Sequence, residues 1–373
     1  MERGKRNMKF VRTDDLKPGM RLAKPIYNKN GVLLYERNTK LNQQGILMIN
    51  NFGLLGIYIL EPAEPLPPLS TEDIEFERFQ TMNVFGLEED MNRLLKKKRP
   101  NKLLKITGDI IKAYGRKSHK INFIQNLRSP EDYVYKHSLN TAILCALIAK
   151  TRKLSTQQQN DLVIAALIHD IGKVNLPFDM RMGSVDLSEE NQEYLRKVLK
   201  ESHDLVQMNF NLSSRGQKIL SQFLNPNLDV TDPHTLEETK ILLAANRYDT
   251  MTAMKEEDPP ASEVVTLRHL IEGELYDNEI VKALTESIYI LSSGVAVELT
   301  NGEKGLVLSE NPDNILCPMV LGFQTNTVYN LADPSIAEKV QIKDIMKTMD
   351  NRMVIDDGAR ERFLRMFEES LDK

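Results

Sequence analysis

The run DLVIAALIHDIG, residues 161–172, constrains this chain more than any other segment. Its apolar residues lie on nearly every side of a helix, which places that helix in the middle of a bundle and not on a surface. The run ends in an imidazole and a carboxylate side by side, His169 and Asp170, with Lys173 one turn on. Buried charge is costly unless it is paired or metal-bound. Such an end can hold a divalent cation and an anionic oxygen. A second apolar helix, EDYVYKHSLNTAILCALIA, carries His137 among core-like positions and can supply a third ligand. Imidazole with carboxylate suits iron, manganese, zinc or a similar metal. His119, His234 and His269 lack such a setting and read as structural or exposed.

The rest of the chain divides by pattern. Residues 8–60 read as a strand-rich α+β module. It has turn signals at Pro18-Gly19 and Asn30-Gly31 and a hairpin around the second, between Pro25-Ile26-Tyr27 and Val32-Leu33-Leu34-Tyr35. A short helix is expected from Gln43 to Asn51 and a strand at Gly56–Leu60. Residues 61–70 hold Pro62, Pro65, Pro67 and Pro68 and read as a linker. Residues 71–105 form a helical connector with a basic run, RLLKKKRPNKLLK, whose plain reading is a solvated helix face or a helix junction at Pro100. A helical domain is expected over 106–292. Residues 293–345 form a β extension, with an Asn301-Gly302 turn between alternating strands. Residues 346–373 form a polar helical tail. The fold class expected is mainly α: a helical bundle with a small N-terminal α+β module and a C-terminal β extension.

Composition narrows the function classes. With 49 Lys+Arg against 53 Asp+Glu the net charge is -4, which excludes bulk nucleic-acid binding. Cys145 and Cys317 are the two cysteines, far apart, so neither a disulfide framework nor a CxxC metal site is available. A reduced, cytoplasmic setting follows most simply. The segment MERGKRNMKF has no apolar stretch after its charges, and no run reaches membrane-span length.

The segments YKHSLNTA, AALIHDIGKVNLP and ILLAANRYDTMTA, in that order, resemble the HD superfamily of metal-dependent phosphohydrolases. Within it they are similar to the HD-GYP branch, bacterial phosphodiesterases of cyclic di-GMP. LKPGMRLAKPIYNKNGVLLYERNTKLN is similar to the N-terminal module of that branch, and GVAVELTNGEKGLVL to its β extension. The resemblance implies that His137, His169 and Asp170 are metal ligands and that Lys173 contacts a substrate phosphate. It implies attack of a metal-activated hydroxide on phosphorus.

The chain also departs from the pattern. Asn246 stands where a ligand Asp is usual, and Asp249 matches a second Asp that is not the main ligand. Gln222, Phe223 and Leu224 stand where His-His-Glu would be, and no Gly-Tyr-Pro occurs. His203 is the one candidate for a further ligand histidine, displaced by a few residues. The ligand set that results is His137, His169, Asp170, His203 and Asn246, with Asp170 and Lys173 as catalytic candidates. It implies one weakly held divalent metal, iron, manganese or zinc, or none. A hydrogen-bonded polar cluster that fixes helix packing without a metal stays open. The expected function is a catalytically impaired signalling protein of the cyclic di-GMP phosphodiesterase family that binds a cyclic dinucleotide or a signalling partner. The alternative is an active mononuclear-metal phosphodiesterase.

Overall fold

The computed structural model describes residues 8–22, 26–27, 33–35, 39–51, 56–60, 70–125, 128–129, 131–181, 188–253 and 260–346. The Asn30-Gly31 turn, the Pro-rich linker apart from Ser70, and the tail beyond residue 346 lie outside the described residues. By their contacts, residues up to 68 and from 290 onward form one compact unit, and residues 69–289 form a second.

The first unit begins with β1 (Met8–Arg12), β2 (Arg21–Leu22), β3 (Ile26–Tyr27), β4 (Leu33–Tyr35), α1 (Gln43–Asn51) and β5 (Gly56–Leu60). An antiparallel sheet runs β1-β5-β2, and β3 pairs with β4 as a hairpin, Ile26 opposite Tyr35. Leu22, Leu41, Ile49, Ile57 and Ile59 make its core.

The second unit is helical. Its helices are α2 (Thr71–Leu95), α3 (Leu103–Ala113), α4 (Tyr133–Thr151), α5 (Thr156–Ile168), α6 (Phe178–Arg181), α7 (Glu189–Asn209), α8 (Ser214–Phe223), α9 (Glu237–Thr252), α10 (Glu263–Glu272) and α11 (Asn278–Thr285). Capping boxes at Ser70/Asp73 and Ser155/Gln158 start α2 and α5. The basic run is a helix junction: α2 stops at Leu95, Lys97 takes a left-handed conformation, and α3 resumes at Leu103. Asp90, fully buried, accepts from the backbone N–H groups of Asn101, Lys102 and Leu103 and so caps α3 from the side of α2. Helix α4 is the centre of the bundle. It is buried on all sides from Leu139 to Ala149 and packs on α5 and α9. No helix of the described residues is long and apolar enough to cross a membrane.

The chain returns to the first unit with β6 (Ala296–Leu299), β7 (Lys304–Ser309), β8 (Met319–Gly322), β9 (Val328–Asn330), α12 (Pro334–Ala337) and β10 (Ile342–Ile345). The strands form an antiparallel sheet ordered β10-β6-β7-β8-β9. Gly302, with φ +81°, makes the turn between β6 and β7 that the Asn-Gly pair calls for. The architecture is mainly α with small antiparallel sheets, as expected.

Candidate metal and ligand site

Three helices meet at the site. His137 comes from the first half of α4. His169 and Asp170 lie at the end of α5, where the chain leaves the helix for a 3-10 turn over Ile171–Asn175. Asn246 and Asp249 come from one face of α9, three residues apart. All but Asn246 are essentially out of solvent.

Gly172 decides how closely α7 approaches this corner. A Cβ there would lie 2.8 Å from Ser202 Oγ, 3.0 Å from the Val198 carbonyl and 3.2 Å from Leu199 Cα. With no side chain, α7 packs directly on the turn.

The hydrogen bonds fix the chemistry of each ring. His137 Nδ1 donates to Asp249 Oδ2 at 2.6 Å, and His169 Nδ1 donates to the Ala166 carbonyl at 2.7 Å. Both rings therefore turn Nε2 inward. His137 Nε2 lies 2.9 Å from the Asn246 amide and 3.4 Å from Asp170 Oδ2; His169 Nε2 lies 3.1 Å and 3.6 Å from the same two groups. Burial pushes His169 down to about 4, so the ring is neutral at pH 7. His137, His169 and Asp170 each offer a ligand atom, all within 4.8 Å of one another. Orientation of an imidazole by a carboxylate or carbonyl on its outer nitrogen is the usual arrangement behind a metal-binding histidine.

The carboxylates are already paired. Burial favours a neutral Asp170, but Lys173 and the two imidazoles outweigh it and hold the carboxyl below the ordinary range. Lys173 Nζ donates to Asp170 Oδ2 at 2.6 Å, the same oxygen that faces the rings. Burial likewise opposes the Asp249 charge and is outweighed by Arg128 and His137. Arg128, fully buried, grips Asp249 with two bonds of 2.6 Å, and Gln125 and Asn140 donate to it at 3.0 and 3.2 Å.

His203 is in α7, and its Nε2 lies 2.8 Å from the His169 carbonyl oxygen, to which it donates. It is not in the three-residue ligand group. Phe223 sets its ring edge-on to His169 with centroids 5.3 Å apart. Gln222 is turned away: it accepts from the Leu236 amide and Thr239 hydroxyl and donates to the His234 carbonyl. Among the described residues this three-residue group could hold an ion, with Lys173 competing for its carboxylate. Arg128, Gln125 and Asn140 were not marked by the sequence. The one signal available for Arg128 was generic, since a buried arginine requires a carboxylate partner.

A cleft of about 280 Å³ opens over the site. Asp170, Lys173 and Asn246 line it, Arg196 contributes a second cation, and Leu195, Leu199, Leu224, Leu243 and Leu275 supply apolar wall. A larger cavity, about 810 Å³, lies elsewhere in the same unit and involves none of these site residues.

Residues 134–267 match the family model described as HD domain. Over 207 residues the chain is 22% identical to a Pseudomonas aeruginosa protein named cyclic di-GMP phosphodiesterase; the alignment covers 53% of this chain. It covers 49% of that protein, so the chain spans about half the length of the curated relative it matches. Among solved structures, Bd1817, a HDG"Y"P protein from Bdellovibrio bacteriovorus, superposes with a TM-score of 0.43 at 15% identity, covering 74% of this chain and 98% of that one.

Proposed function

We propose that this chain is a catalytically impaired member of the HD-GYP branch of the HD superfamily, one that binds an anionic nucleotide instead of hydrolysing it. The observation that carries the reading is Phe223 packed edge-on against His169. An apolar ring stands beside the HD pair where the resemblance would put further ligands, and Gln222 next to it is spent on the backbone of residues 234–236. What remains is a cleft with two cations, Lys173 and Arg196, and leucine walls. That combination suits a phosphate and the face of a base or sugar. Its volume, about 280 Å³, falls just below the roughly 300–1,000 Å³ usual for ligand pockets, so it would enclose one end of a cyclic dinucleotide. A cytoplasmic signalling role, with a protein partner reading the bound state, is part of the same proposal.

A second reading is an active mononuclear-metal phosphodiesterase. It rests on the convergence of His137, His169 and Asp170. These three would hold the ion, with the Asn246 carbonyl as a neutral fourth ligand. A divalent ion bound there would supply an activated water and neutralise phosphate oxygens. Lys173 would then release Asp170 and turn to the phosphate, with Arg196 beside it in the cleft.

Titration of the full chain with cyclic di-GMP and with GMP, with and without Mn²⁺, separates the two. Saturable binding without product, weakened at least tenfold by Lys173→Met, is expected. Metal-dependent turnover that is lost in Asp170→Ala would establish the second reading, and absence of saturable binding would overturn the first.

A further inference from the structure

Proton positions at the HD centre lead to a role for Asn246. Asp249 is a carboxylate and the Ala166 group is a carbonyl, so each can only accept. The protons of His137 and His169 are therefore on Nδ1. In a neutral ring Nε2 is then a bare lone pair. Both lone pairs aim at one atom of the Asn246 amide, at 2.9 and 3.1 Å. If that atom is Oδ1, three acceptors face one another with no proton among them. The next nearest group, Asp170 Oδ2, is a fourth acceptor, and its cation, Lys173, already bonds it at 2.6 Å.

The amide has a second orientation of the same shape. A half-turn about its last bond exchanges oxygen and nitrogen, which differ little in size. With Nδ2 inward, an NH₂ group with two N–H donors faces the two lone pairs at nearly the same distances. We propose that Asn246 closes the HD centre in this way: its amide NH₂ donates to Nε2 of His137 and to Nε2 of His169, and so takes the position of a cation. Charge supports this. Arg128 balances Asp249 and Lys173 balances Asp170, so two rings that spend their Nδ1 protons on outer acceptors need N–H donors at Nε2 and no further positive charge. An aspartate at 246 could not do this, because it has no proton to give.

The inference rests on the reading of an impaired centre and adds a reason for it. A metal ion would have to break two N–H···N bonds, rotate the amide and displace Lys173 from Asp170.

The test uses the ¹⁵N-labelled full chain. The expected result is the Nδ1-protonated form of both rings, together with N–H···N scalar coupling from the Asn246 side-chain nitrogen to His137 Nε2 and His169 Nε2. Absence of that coupling in a spectrum that resolves the three nitrogens would overturn the proposal. Zn²⁺ titration supplies a second readout. Asn246→Asp is expected to bind one equivalent at least tenfold more tightly than wild type, and equal affinity would also overturn it. If Asn246→Asp does not fold, the wild-type coupling decides alone. Failure of nucleotide binding with the coupling present would sink the ligand proposed above and leave the role of Asn246 standing.

Discussion

Replacing Arg128 by Met should be among the most damaging single changes in the helical unit, although Arg128 neither lines the cleft nor belongs to the three-residue ligand group. Its guanidinium and the Asp249 carboxylate both have no solvent exposure, and two 2.6 Å bonds join them. Breaking such a pair by removing one partner costs about 3–5 kcal/mol, because the other charge stays buried. Asp249 keeps three donors, from His137, Gln125 and Asn140, which argues for the lower end, about 3 kcal/mol. For a unit of this size each kcal/mol lowers the melting temperature by about 2–4 °C, so a fall of about 6–12 °C is expected. Thermal and urea unfolding at pH 7, followed by circular dichroism, would measure it. The double variant Arg128→Met with Asp249→Leu should recover part of the loss, since it leaves no unpaired charge, and the cycle should show strong coupling. A single-variant melting temperature within about 2 °C of wild type, or strictly additive changes, would refute the buried-pair argument.

Three further outcomes follow from the same geometry. His169 is held neutral with a folded pKa of about 4 against about 6.5 unfolded, so the unfolded state takes up the proton first. Stability is therefore complete above about pH 6.5 and declines as pH falls toward 4, by about 3 kcal/mol; His169→Gln should flatten that part of a stability–pH curve. Gly172→Ala should cost about 1–3 kcal/mol by chemical denaturation, because α7 must move off a Cβ lying 2.8 Å from Ser202 Oγ and 3.0 Å from a backbone carbonyl. Asp90→Ala removes the acceptor for three backbone N–H groups at the start of α3 and should cost about 1–3 kcal/mol, with faster amide exchange at Asn101–Leu103 as the local readout.

Local pattern made much of this protein legible in advance. Nearly continuous apolar runs announced α4 and α5, the Asn-Gly pair announced the β6–β7 turn, and Gln43–Asn51 and Gly56–Leu60 formed as a helix and a strand. The pairing of His169 with Asp170 at the end of a buried helix marked the site, since such groups cannot be left in a core without a partner.

What the sequence by itself determined were the features that depend on neighbours within a turn or two: element type and the HD corner. Only the tertiary structure decided the rest. Arg128 finds Asp249 from 121 residues away, His203 bonds the His169 backbone, Phe223 lies on the His169 ring, and Asn246 comes between two imidazoles from other helices. The physical reason is that helix periodicity tells which face a side chain occupies, while the partner of that face is set by how α4, α5, α7, α8 and α9 pack, and no spacing along the chain encodes a distance between helices.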